Sequence, residues 1–91
     1  MRIRKGLILR QVGGNSVVMG EGLSALEFGK MLTLNETAAW LWQQAERMGE
    51  FSVDSLAACL SEEYDMNVND VRADVEEMVN EWKKVGTIEF L

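Results

Sequence analysis

The stretch KMLTLNETAAWLWQQAERMG, residues 30–49, decides the fold, because it begins as one kind of structure and ends as another. Through Leu34 the pattern has a period of two, with Met31 and Thr33 alternating with Leu32 and Leu34, as in a strand with one buried face. Beyond it Ala38, Leu41, Trp42, Ala45 and Met48 recur at the three-to-four spacing of one helical face. Asn35 stands at the change. Its side chain can accept from the free N–H groups of the next turn, and Glu36 sits favourably at the positive helix end. The stretch therefore predicts a short strand over Lys30–Leu34, a cap at Asn35 and a helix over Glu36–Met48 that ends at Gly49.

Upstream, the chain is punctuated by glycine: six of its eight glycines precede residue 35. Short apolar runs between glycines read as strands and turns. Leu7–Val12 is a first strand and Ser16–Met19 a second. Gly13-Gly14-Asn15 joins them, and both residue types tolerate the positive φ of a tight hairpin. Residues 20–29 read as an irregular return to the third strand. Downstream, the pattern is helical throughout. Ser52 caps a second helix to about Tyr64, with Val53, Leu56, Ala57, Leu60 and Tyr64 as its stripe. Asn67 or Asn69 caps a third, to about Val85, with Val71, Val75, Met78, Trp82 and Val85. Lys83 and Lys84 suit its negative end, and Gly86 suits the left-handed position beyond it. Thr87–Leu91 reads as a short extended tail. Strands first and helices after give an α+β fold, expected as a single domain over residues 1–91.

With 91 residues, 47% hydrophobic and 26% charged, the chain can bury one small core. There is no histidine and only Cys59, which excludes Ser–His–Asp and Cys–His catalysis, His-ligated metal and an internal disulfide. No catalytic, metal or cofactor residue is nominated, and the chain is read as no enzyme. No apolar run nears the ~20 residues of a membrane span, and Leu7–Leu9 is too short for a signal-peptide core. A cytoplasmic protein is expected. The net charge of −6 is split: residues 1–34 carry five bases and two acids, residues 35–91 four bases and thirteen acids.

Several motifs carry less than their letters suggest. Gly20–Ala25 matches G-x-G-x-x-A, but Gly29 and another strand follow too soon for the helix that dinucleotide binding needs. Asn35-Glu36-Thr37 is a glycosylation sequon whose asparagine is better used as a cap. Cys59 reads as a small buried hydrophobe. The acids Glu62, Glu63, Asp65, Glu76 and Glu77 read as a solvated face. Trp40 lies off the stripe of its helix, either as a single exposed ring or as part of a contact surface. Val79 is also off its stripe, about 80° from Val71 on the flank of Arg72. It either widens the buried face or lines a groove.

Taken together, three segments resemble PqqD-like proteins. LTLNETAAWLW at residues 32–42 is similar to that family's strand-to-helix junction. FSVDSLAACLSEEYDMN at 51–67 is similar to its second helix, and DVRADVEEMVNEWKKVGTI at 70–88 to its third. The resemblance covers about residues 5–88. It implies a winged helix-turn-helix-like domain of three N-terminal antiparallel strands and three helices. It also implies a non-catalytic adaptor that binds the leader of a ribosomally made precursor peptide. Such an adaptor presents the leader to a modifying enzyme, often of the radical S-adenosylmethionine type. The leader is implied to add as a strand beside the third strand, against the third helix. Carried over by position, the peptide-binding residues are Lys30, Met31, Leu32, Thr33 and Leu34 on the strand, with Arg72, Val75, Glu76 and Val79 on the helix. Lys30 and Arg72 are expected to meet acidic leader residues, and Val75 and Val79 apolar ones. Members from the quinone-cofactor (PQQ) pathway tend to carry a Pro-Glu-like turn before the third strand. This chain has no proline and carries GLSALEFGK at 22–30, which leaves the product open.

Two rival readings follow from the residues. A winged helix that binds DNA needs a basic recognition helix. Here the third helix carries Asp70, Asp74, Glu76, Glu77 and Glu81 against Arg72, Lys83 and Lys84, so no nucleic acid is expected. The other rival is an interaction subunit of a larger enzyme complex.

Overall fold

A computed structural model describes residues 1–22 and 31–90. The chain forms β1 (Arg2–Ile3), β2 (Leu7–Val12), β3 (Asn15–Gly20) and β4 (Met31–Leu34), then α1 (Glu36–Met48), α2 (Val53–Tyr64), α3 (Val68–Lys84) and β5 (Ile88–Glu89). β2, β3 and β4 make an antiparallel sheet in that order. Three strands followed by three helices is the α+β arrangement expected from the sequence.

The β2–β3 hairpin closes with Val12 opposite Asn15. The two residues between them, Gly13 and Gly14, both have positive φ, at 57° and 85°. Residues with a Cβ resist that geometry, and a two-residue turn of this kind matches the natural twist of the strands. Leu9, Val18 and Leu32 form one cross-strand row on the core face. Ile8, Met19 and Met31 form a row on the opposite face.

Each helix begins on a side chain that the sequence nominates. Asn35 Oδ1 accepts from Ala38 N at 2.8 Å. Ser52 and Ser55 bond reciprocally, with Ser55 N donating to Ser52 Oγ at 3.0 Å and Ser52 N to Ser55 Oγ at 2.9 Å. Asn67, rather than Asn69, caps α3, with its Oδ1 accepting from Asn69 N at 2.8 Å. Loss of such a cap costs about 1 kcal/mol. α3 ends before Gly86, which has a φ of 84°.

The core lies between the sheet and the helices, with Trp42 and Trp82 at its centre. Their rings meet edge to face at 5.2 Å, and Phe51 adds a second such contact to Trp82. Aromatic pairs in this geometry contribute about 0.5–1.5 kcal/mol beyond their burial. On α2 the stripe stops short of expectation: Tyr64 is exposed and rests against Trp40 at 6.0 Å. Trp40 itself is half-buried.

Both ends of the chain are bound into the fold, a feature absent from the sequence reading of the N-terminus. β1 pairs with β5, placing Arg2 opposite Glu89 and Ile3 opposite Ile88. Arg4 N donates to Thr87 O at 2.8 Å, and Phe51 N to Met1 O at 2.7 Å. Thr87 is fully buried, and its hydroxyl donates to Trp82 O at 2.8 Å, which spares a buried polar atom the cost of isolation.

Candidate functional site

The sheet presents one short strand, β4, beside the first turn of α1. β4 pairs with β3 on one side, and its other side has no partner strand among the described residues. An edge of this kind keeps free N–H and C=O groups that another chain can pair with. The pleat settles the facing. Leu34 is buried, and Leu32 packs against the core, so Met31 and Thr33 point to the opposite face, where both are exposed although Val17, across from Thr33, is buried. Met31 is 64% exposed, high for a side chain of its kind.

Where β4 ends, a recess of about 190 Å³ opens between α1 and α3. Asn35, Thr37, Ala38 and Leu41 line it on the α1 side. Asp74, Val75 and Met78 line it from α3, with Leu60 of α2 beneath. An apolar cavity of about 150 Å³ already admits a benzene ring, so this one has room for a bulky side chain.

The candidate residues separate clearly. Lys30 lies outside the described residues. Met31 and Thr33 are exposed on β4, and Leu32 and Leu34 face inward. Val75 is buried and forms part of the recess wall. Val79 is not a groove residue: it is 0% exposed and belongs to the core. Of its two readings, the widened stripe is the one realised. Arg72 and Glu76 are exposed and occupy the other flank of α3. Arg72 Nε donates to Asp54 Oδ1 on α2 at 2.6 Å, and its Nη1 lies 3.4 Å from Glu76 Oε2. The hydrogen bond and charge of Asp54, with a smaller contribution from Glu76, raise the guanidinium pKa above its ordinary value.

A small rotation of the helical wheel accounts for the difference. The buried residues of α3 are Val71, Val75, Val79 and Trp82, an arc centred about 40° from Val71. Met78 sits about 60° to one side of that centre and Arg72 about 60° to the other. The first shoulder, continued by Asp74, faces α1 and the recess. The second, continued by Glu76, faces the start of α2. A stripe centred on Met78 instead of Val79 assigns these shoulders the wrong way round. Residue type does not separate the two arcs; the packing of Val79 into the core does.

Asn35 is engaged as a cap. The glycine-rich match at 20–25 falls partly outside the described residues. Cys59, expected as a small buried hydrophobe, is only half-buried, beside Trp40 and Glu62. No cluster of ligands suited to a metal ion occurs among the described residues. None of the described helices is long and apolar enough to cross a membrane.

The profile of the family described as coenzyme PQQ synthesis protein D (PqqD) matches residues 9–88. The chain belongs to the PqqD family. No curated protein matches it significantly. Two solved structures share its fold. One, TbiB1 in complex with the TbiA(beta) leader peptide, is 14% identical with a TM-score of 0.78, and the match covers 100% of this chain and 98% of that one. The other, lasso peptide synthetase B1 complexed with the leader peptide, is 24% identical with a TM-score of 0.70, over 94% of this chain and 93% of that one. At these identities the likeness is one of backbone, and PqqD membership rests on the family match.

Proposed function

We propose that this PqqD-family protein is a non-catalytic adaptor that captures the leader of a ribosomally made precursor peptide by strand addition to β4. The observation that carries the proposal is the edge of β4, without a partner strand among the described residues, which ends at Asn35 on the lining of the recess between α1 and α3. Main-chain pairing supplies affinity for any extended peptide, and a side-chain pocket at its end supplies selectivity. The leader-bound state of the two similar structures supports the reading. The captured leader is presented to a modifying enzyme, and the radical S-adenosylmethionine class is the partner that the family resemblance implies. Precursor, adaptor and enzyme meet in the cytoplasm, where the precursor is made. The acidic surface of α3 disfavours a duplex-binding role for the same fold.

The test is an NMR titration with candidate leaders, the N-terminal halves of any short peptides encoded in the genes flanking this one. Amide shifts at Met31–Leu34 and along Asp74–Met78 are expected. Shifts confined to the α2 face, or none at saturating peptide, would remove the reading. A duplicate peptide with N-methyl groups at alternate positions should lose binding in only one of its two phases, because only alternate peptide N–H groups face β4.

A further inference from the structure

The recess has a chemical asymmetry that narrows what a bound strand must carry. Ala38, Leu41, Leu60, Val75 and Met78 give it apolar walls, and Asp74 is the one charged side chain lining it. Asp74 is exposed and takes part in none of the ion pairs found among the described residues. The bases elsewhere on α3 are engaged: Arg72 with Asp54 and Glu76, Lys84 with Glu81, and Lys83 over the Phe90 ring. A carboxylate at the mouth of an apolar recess, with no cation paired to it among the described residues, favours a bound group that brings one.

We propose that the cleft selects a strand bearing one bulky apolar side chain for the recess and a lysine or arginine two positions away for Asp74. This rests on the strand-addition reading above. In an extended chain, side chains two apart share a face and lie about 6.7 Å from one another, a spacing that suits a recess and its rim. The charge preference is opposite to the one expected from Lys30 and Arg72. Lys30 lies outside the described residues, and Arg72 is already neutralised by two carboxylates on the far shoulder of α3.

The experiment is parallel selection of random short peptides by mRNA display on the full chain and on Asp74→Lys, followed by anisotropy titration of the winners. The wild-type pool should be enriched in a large apolar residue with Lys or Arg two positions away, and the Asp74→Lys pool in Asp or Glu at that place. A wild-type winner should lose up to about fivefold in affinity on Asp74→Asn, and about tenfold on Asp74→Lys. Exchanging its Lys for Glu should restore binding to Asp74→Lys, a coupling that simple damage to the fold cannot produce. Pools with the same charge preference on both proteins would overturn the selectivity while leaving strand addition intact. Winners that do not shift the β4 amides, or no winners at all, would overturn strand addition and this inference with it.

Discussion

The two shoulders of α3 stand at equal angles from its buried arc and share a pattern, a long side chain followed outward by an acid. On one, Met78 and Asp74 border an open recess. On the other, Arg72 pairs with both Glu76 of its own helix and Asp54 of α2. The difference shows how one helix can leave one shoulder open and close the other. Where the long residue is a base beside an acidic neighbouring helix, the shoulder satisfies itself. Where it is a methionine beside the small residues that start α1, the shoulder leaves a space and an unanswered charge.

The strongest way to break this comparison is to attack the arc between the shoulders. Val79→Asp places a carboxylate where no solvent or partner reaches. A loss of at least about 4 kcal/mol is expected, against a total stability of about 5–15 kcal/mol for a domain. A denaturant titration should show the folded baseline lost or the midpoint sharply lowered. If Val79→Asp folded normally and only weakened peptide binding, Val79 would be a groove residue and the shoulders as described would be reversed.

Met78→Ala tests the open shoulder at lower cost. Met78 is half-buried, so its truncation should destabilise the protein by about 1 kcal/mol, less than the ~2–5 kcal/mol of a fully buried methionine. The leader should bind about fivefold more weakly, since the recess loses roughly 1 kcal/mol of apolar contact. The same truncation thus reads out twice, once in melting and once in titration. A change in stability with no change in affinity would place the peptide elsewhere.

Much of this architecture was legible in the residues, and what was not has a physical reason. Asn35, Ser52 and Asn67 announce their helices because capping is local chemistry, complete within one turn. The hairpin at Gly13-Gly14 is legible for the same reason. The pairing of β1 with β5 is not, because two-residue strands have no periodicity to read and their register is set across nearly the full chain length. The open shoulder was missed because Met78 and Val79 each extend a helical stripe from Val75, by three residues or by four. Only packing against α1 and α2 decides between them. The exposure of Met31 and Thr33 was similarly undetermined, since a strand of four residues fits either face until its neighbours are known.

Asn35 joins fold and site in one side chain, since it caps α1 and also borders the recess. Asn35→Ala should cost about 1 kcal/mol by freeing the N–H of Ala38. Asn35→Asp keeps an acceptor and should preserve stability while adding a second negative charge at the mouth. If the open shoulder selects cations, Asn35→Asp should bind a lysine-bearing peptide at least as well as the wild type at low salt, and the advantage should fade as salt rises. A weakened peptide at low salt would count against the charge preference.

Arg72 should give the smallest effect, and it is the control on which the comparison depends. Its ion pair with Asp54 is short, at 2.6 Å, and that with Glu76 looser, at 3.4 Å, but all three side chains are about half or more exposed. Exposed pairs of this kind gain little over their hydrated partners, because water screens the attraction and holding long side chains costs entropy. Arg72→Ala should therefore leave the unfolding midpoint within error of the wild type. It should also leave leader affinity unchanged, because the guanidinium faces α2 and its charge is already answered. An equal loss of affinity in Arg72→Ala and Asp74→Asn would mean that the cleft spans both shoulders. Loss in Asp74→Asn alone would confine recognition to the one that opens beside β4.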